Sequence, residues 1–138
     1  MMLYPAKFEK EGNSYNVTFR DIPEAITCGD DLKDALEMAE DALLTAMDFY
    51  FEDNRTVPMP SDPLEGEHMI ALPVSVWSKV LLLNTMLEQR ISQVELAKRL
   101  HKKPQEIQRI INLEHSTKID TVVDALKALG KRPQFSII

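Results

Sequence analysis

The chain has a single cysteine, Cys28, so no internal disulfide framework is open to it, and a reducing cytoplasm suits its composition. Long apolar runs are missing as well. No unbroken stretch is longer than Val80-Leu81-Leu82-Leu83, far short of the ~20 residues that a membrane span needs. The N-terminal stretch, MMLYPAKFEKEGNS, has no basic segment leading into an apolar one, so no secretory signal is expected. There are no internal repeats and no low-complexity tracts. His68, His101 and His115 share no metal-ligand spacing, which leaves a metal or other cofactor without support. Cys28 has no histidine near it in sequence and reads as a small core residue, not a nucleophile. What remains is a globular composition, 44% hydrophobic and 28% charged, enough over 138 residues for one ordinary core or two small ones.

Charge is unevenly placed. Residues 1–68 hold 16 acidic and 5 basic side chains, a balance of -11, whereas residues 69–138 hold 6 acidic and 11 basic, a balance of +5. Such a split suits two modules, one facing a cationic partner and one facing a polyanion. The alternative is that both are plain solvated surfaces.

The first half alternates. Leu3–Lys10 and Ser14–Arg20 read as strands around a Gly12-Asn13 hairpin turn, with a third short strand near Ala25–Cys28. Asp30 or Asp31 then caps an amphipathic helix from Leu32 to about Phe51, with its apolar stripe at Leu32, Leu36, Ala39, Leu43, Met47 and Tyr50. Met38, Met47, Met69 and Met86 are expected on packed faces. Residues 52–67 carry Pro58, Pro60 and Pro63 and form a connector. His68–Val74 reads as one more strand, returning to the first sheet if the connector is a crossover. The boundary between modules falls at 74/75. From there the pattern is helical, at Val76–Gln89, Ser92–Leu100, Pro104–Leu113 and about Ile119–Leu129. The fold class is therefore α+β: a small antiparallel sheet with one covering helix, then an all-α domain.

The cationic stretch SQVELAKRLHKKPQEIQRII, residues 92–111, reads as two short helices joined by a tight turn. In a helix-turn-helix the first helix braces the second in the DNA major groove. Ala97 supplies the small residue at the crossing, and Val94, Leu96 and Leu100 face the core. Ile107, Ile110 and Ile111 bury one side of the second helix, leaving Lys103, Gln105, Gln108 and Arg109 to read bases. Glutamine can bond adenine bidentately and arginine guanine. Lys98, Arg99, Lys102 and Lys118 suit phosphates. The four-helix pattern ending at Ala128-Leu129-Gly130 resembles the repressor-type helix-turn-helix family. That resemblance implies a phosphate contact for Gln93. The chain departs from the family in having His101 where Gly is usual and Lys102 where a small apolar residue is common.

The segment YPAKFEKEGNSYNVTFRDIPEAITCGDDLKDALEMAEDAL, followed by VPMPS, resembles the N-terminal domain of HicB-type antitoxins. The shared features are an aromatic-bounded hairpin, a D-I-P turn, a T-x-G-D-D helix start, an acidic helix and a proline-rich exit. The resemblance implies a partial ribonuclease-H-like sheet. It also implies neutralisation of a HicA-type toxin, a small basic RNA-cleaving protein, and repression of the operon together with that toxin. Catalysis by the chain itself is not expected. Ribonuclease-H chemistry needs carboxylates converging on metal ions about 4 Å apart, and in so acidic a half Glu9, Asp21 and Asp48 would meet only by coincidence. Phe135, Ile137 and Ile138 in the apolar tail are expected to join two copies, giving a homodimer through the second domain and a higher-order complex with toxin. The runner-up reading is a stand-alone transcription factor whose first domain senses a small ligand.

Overall fold

Gly12, at φ +64°, closes the first hairpin where the Gly12-Asn13 pair places it. In the computed structural model of the chain, which describes residues 2–137, this turn joins β1 (Leu3–Glu11) to β2 (Ser14–Thr18). β3 (Ile26–Gly29) pairs with β2, and β4 (His68–Ala71) returns to pair with β1. The result is one antiparallel sheet in the order β3-β2-β1-β4. The proline-rich connector is therefore a crossover. Tyr4 lies opposite Ile70, and Phe8 opposite Val17. Tyr4, Ala6, Val17 and Ile70 share the buried face, while Lys7, Glu9, Asn16 and Thr18 alternate outward. Cys28 stands on the outward side of β3 and is exposed, not a core residue as expected. Met69 is also turned partly outward, at 38% exposure.

α1 (Leu32–Glu52) begins with a reciprocal cap. An Asp31 carboxylate oxygen accepts the Asp34 N–H at 2.8 Å, and the Asp34 carboxylate accepts the Asp30 N–H at 2.9 Å. The buried stripe is Ala35, Ala39, Leu43, Ala46, Met47 and Tyr50. The expected stripe was correct from Ala39 onward and wrong at its start, since Leu32 is 40% exposed and Leu36 only half-buried. Met38 lies off the stripe too, at 38% exposure. A tertiary contact sets the rotation: a methyl group on Gly29 would stand 2.3 Å from the Ala35 nitrogen, so Ala35 must face the end of β3.

The connector is held at several points. Tyr4 donates its hydroxyl to the Pro58 carbonyl at 2.7 Å. Ser61 donates its N–H (2.8 Å) and its hydroxyl (2.6 Å) to the Asp21 carboxylate. Arg20 bonds the Asp62 carbonyl and the Glu67 carboxylate, which also accepts the Leu64 N–H at 2.7 Å. The hydrogen bond from Arg20, and then that from Leu64, holds Glu67 below the ordinary glutamate pKa. A depressed carboxylate favours the folded state at neutral pH, and that contribution disappears as pH falls through the depressed value.

Two compact units emerge: residues up to Phe49 with Pro58–Leu72, and Tyr50–Val57 with Pro73 onward. The second contains α2 (Val74–Gln89), α3 (Gln93–Leu100), α4 (Pro104–Ile111) and α5 (Ile119–Ala128). Its core joins Leu82, Met86, Leu96, Ala97, Ile107, Ile110, Val122, Ala125 and Leu126. α2 is buried on nearly every side, as a central helix must be. Two of its polar side chains bond irregular backbone: Asn84 exchanges two hydrogen bonds with Val57 (2.8 and 2.9 Å), and Gln89 donates to the Leu129 carbonyl at 2.8 Å. Residues 131–137 form no regular element. Within them the Phe135 ring tilts against Trp77 at 5.3 Å, yet Phe135 remains 62% exposed and Ile137 fully so. Ile138 lies outside the described residues.

Candidate DNA interface

The interface starts with two eight-residue helices, too short to persist alone in water, so caps and packing must hold them. Ser92 caps α3, its hydroxyl accepting the Glu95 N–H at 3.1 Å. Leu96 and Ala97 are buried and Leu100 is half-buried. Val94, expected in the core, is 53% exposed. Two residues before Leu96, it points about 160° away from it at 100° per residue.

α3 ends on His101 in the left-handed conformation (φ +54°, ψ +42°). The Lys102 N–H reaches back to the Ala97 carbonyl at 2.9 Å, and the His101 N–H to the Lys98 carbonyl at 3.2 Å. The turn thus keeps the geometry that glycine usually provides, at a cost for the histidine side chain. His101→Gly should therefore raise the unfolding free energy by about 1 kcal/mol, measured by urea denaturation.

Pro104 occupies the first turn of α4, where its missing N–H is no loss. Lys103 at the N-cap has no lone pair to offer, so capping runs the other way: Glu106 accepts the Lys103 N–H at 3.2 Å. Ile107 and Ile110 are buried, and Ile111 half so. Gln105, Gln108 and Arg109, at i, i+3 and i+4, share the exposed face, with Lys103 at its start. Gln93 lies in the first turn of α3, Lys98 and Arg99 near its end, Lys102 in the turn and Lys118 at the α5 N-cap. All five are exposed. Arg99 pairs with Glu95 at 3.5 Å. Among the described residues no carboxylate pairs with Lys98, Lys102, Lys103, Arg109 or Lys118. An unneutralised cationic surface with two exposed amides can hold phosphates and donate to base edges.

Two features escaped the sequence. Lys79 of α2 is 2% exposed and donates to the carbonyls of Asn112 (2.6 Å) and His115 (2.7 Å) in the loop after α4. Burial draws its pKa below the ordinary lysine value, while the two carbonyls favour the proton. A pattern of hydropathy gives no sign of this, because a lysine is normally assigned to solvent. Lys127, Lys131 and Arg132 line an open recess of about 480 Å³ at the C-terminal end of α5, adding cations to the same unit.

Comparison with known proteins agrees with this architecture. Residues 3–81 match the family described as "HicB_like antitoxin of bacterial toxin-antitoxin system", and residues 83–135 match a helix-turn-helix family. The chain is 58% identical over 130 residues to Antitoxin HicB 2 of Photorhabdus laumondii, covering 94% of this chain and 92% of the relative. It is 57% identical over 117 residues to Antitoxin HicB of Escherichia coli, covering 85% of each. Antitoxin HicB of Pseudomonas fluorescens is 35% identical over 138 residues, covering 99% of this chain and 94% of the relative. The sheet-bearing N-terminal half, the helix-turn-helix behind it and these matches over most of its length place the chain in the HicB-like antitoxin family, as an antitoxin with a DNA-binding domain.

Proposed function

We propose that the two halves of this antitoxin divide the work. Residues 1–74 cover the RNA site of a cationic HicA-type toxin, and residues 75–138 read the operator of their own operon. The acidic balance of -11 over residues 1–68 supports the first assignment, with α1 supplying part of the attraction. The second rests above all on one observation: the exposed face of α4 presents Gln105, Gln108 and Arg109 while its opposite side is locked into the core by Ile107 and Ile110. Gln93, Lys98, Arg99, Lys102 and Lys118 hold phosphates around it. The repressor acts as a homodimer joined through the C-terminal tail. Phe135 and Ile137, largely exposed and apolar, support that role, and two-fold symmetry suits half-sites about one helical turn apart.

Measuring operator binding over a range of salt concentrations tests the DNA assignment. Arg109→Ala should cost about 1–3 kcal/mol and relax preference at one base position. Lys102→Ala should weaken binding to all sequences and lower the salt slope by about 1. Equal, sequence-blind losses from both would remove α4 as the reading helix.

A further inference from the structure

We infer that Lys79 is a positioning residue for DNA reading: its buried ammonium fixes the C-terminal end of α4, and so the angle at which the base-reading face is presented. The inference rests on the assignment of α4 as the reading helix. An eight-residue helix does not set its own direction. Its N-terminal end is held by Pro104 and the Glu106–Lys103 bond, and its middle by Ile107 and Ile110. At the far end Asn112 forms the C-cap, and the Asn112 carbonyl accepts the Lys79 ammonium at 2.6 Å. The same ammonium takes the His115 carbonyl at 2.7 Å, three residues further on, and so clamps the loop that leads to Lys118. Lys79 belongs to α2, the most enclosed helix of the unit, so the clamp refers α4 to a fixed element. A cation at a helix C-terminus also meets the negative end of its dipole.

Stability alone does not call for a lysine here. Burying an ammonium costs solvation that an apolar side chain of similar length would not lose. The Asn112 carbonyl keeps another donor without it, the His115 N–H at 3.1 Å, while the His115 carbonyl has only a weak contact with the Thr117 hydroxyl at 3.5 Å. What the lysine adds is a fixed geometry. Base readout depends on such geometry, whereas attraction to phosphates does not.

The test compares full-length wild type and Lys79→Met on two duplexes: the promoter region upstream of the first gene of the protein's own operon, and a shuffled duplex of the same composition. In Lys79→Met the preference for the upstream duplex should fall about 30-fold, equivalent to losing one or two base contacts. Affinity for the shuffled duplex should stay within about threefold, and Tm within about 5 °C. Lys79→Arg, which retains donors for both carbonyls, should keep most of the preference. An undiminished preference in Lys79→Met, or equal losses on both duplexes, overturns the inference. If Lys79→Met does not fold, Lys79→Gln takes its place on the same two duplexes, and either of those results overturns the inference again. A wild-type protein with no preference for its upstream duplex removes the DNA assignment and this inference together. A wild type that has the preference, beside a Lys79→Met that keeps it, removes the inference alone.

Discussion

Gly29→Ala should destabilise the sheet-bearing unit by more than about 3 kcal/mol. Gly29 ends β3 and is buried. A methyl group on it would lie 2.3 Å from the nitrogen, 2.4 Å from the Cα and 2.8 Å from the Cβ of Ala35. Those atoms belong to the first turns of α1, which Asp31 and Asp34 cap, so no flexible side chain can move aside. Relief requires shifting the helix against the sheet. Ordinary overpacking costs about 1–3 kcal/mol, and main-chain displacement puts this site above about 3 kcal/mol. Domains of this size have only about 5–15 kcal/mol of stability in all. Without the contact the sign would be opposite, because alanine in a strand saves about 0.5–1 kcal/mol of backbone entropy relative to glycine. Gly12 serves as a control. Nothing lies within 4 Å of a methyl group there, and only its positive φ is at stake, so Gly12→Ala should cost about 1 kcal/mol. Urea denaturation followed by circular dichroism separates the two. A Gly29→Ala variant as stable as wild type would mean that β3 and α1 do not approach this closely.

The same glycine marks the limit of what the sequence reveals about α1. Period-two alternation and the Gly12-Asn13 turn were enough for the first hairpin, since both signals are local. Ser92 and Pro104 likewise announced the starts of the helices they cap or open. The start of the α1 stripe was not legible. Alanine is compatible with either face of a helix, so Leu32 and Leu36 outweighed Ala35, and only the contact with Gly29 decides between them. Residue type alone points Cys28 and Val94 inward, whereas their register on strand and helix turns them out. The D-I-P turn and the VPMPS exit were visible as separate motifs. Their connection was not, because Asp21 and Ser61 lie 40 residues apart and meet only when the crossover is built. On the DNA face, all the cations that the sequence points to are exposed, whereas Lys79 is not legible there, because composition cannot show which lysine is buried.

Reversing three charges on α1 should slow capture of the toxin by about 100-fold while leaving operator binding intact. Glu37, Glu40 and Asp41 are exposed, off the buried stripe of Ala35, Ala39 and Leu43. At i, i+3 and i+4 they repel one another, which costs the helix about 0.2–0.5 kcal/mol per pair. The proposed reading gives this cluster the role of attracting a cationic toxin. Each change to lysine shifts the charge by two, so the triple variant brings the net charge from -6 to zero. Lysine and glutamate have similar helix propensity, and the reversed cluster repels itself as the original does, so α1 should persist. Steering by complementary fields accelerates association about 10- to 1,000-fold and fades as salt rises. The expected signature is therefore an association rate about 100-fold lower at low ionic strength, converging toward wild type at high salt. Neutral Glu37→Gln, Glu40→Gln and Asp41→Asn replacements should fall between the two on a logarithmic scale. Stopped-flow mixing with purified HicA-type toxin measures these rates, and protection of RNA from cleavage provides the functional readout. If the reversed variant associates as fast as wild type at every ionic strength, the acidic face of α1 does not guide the toxin, and attraction must come from elsewhere in the acidic half.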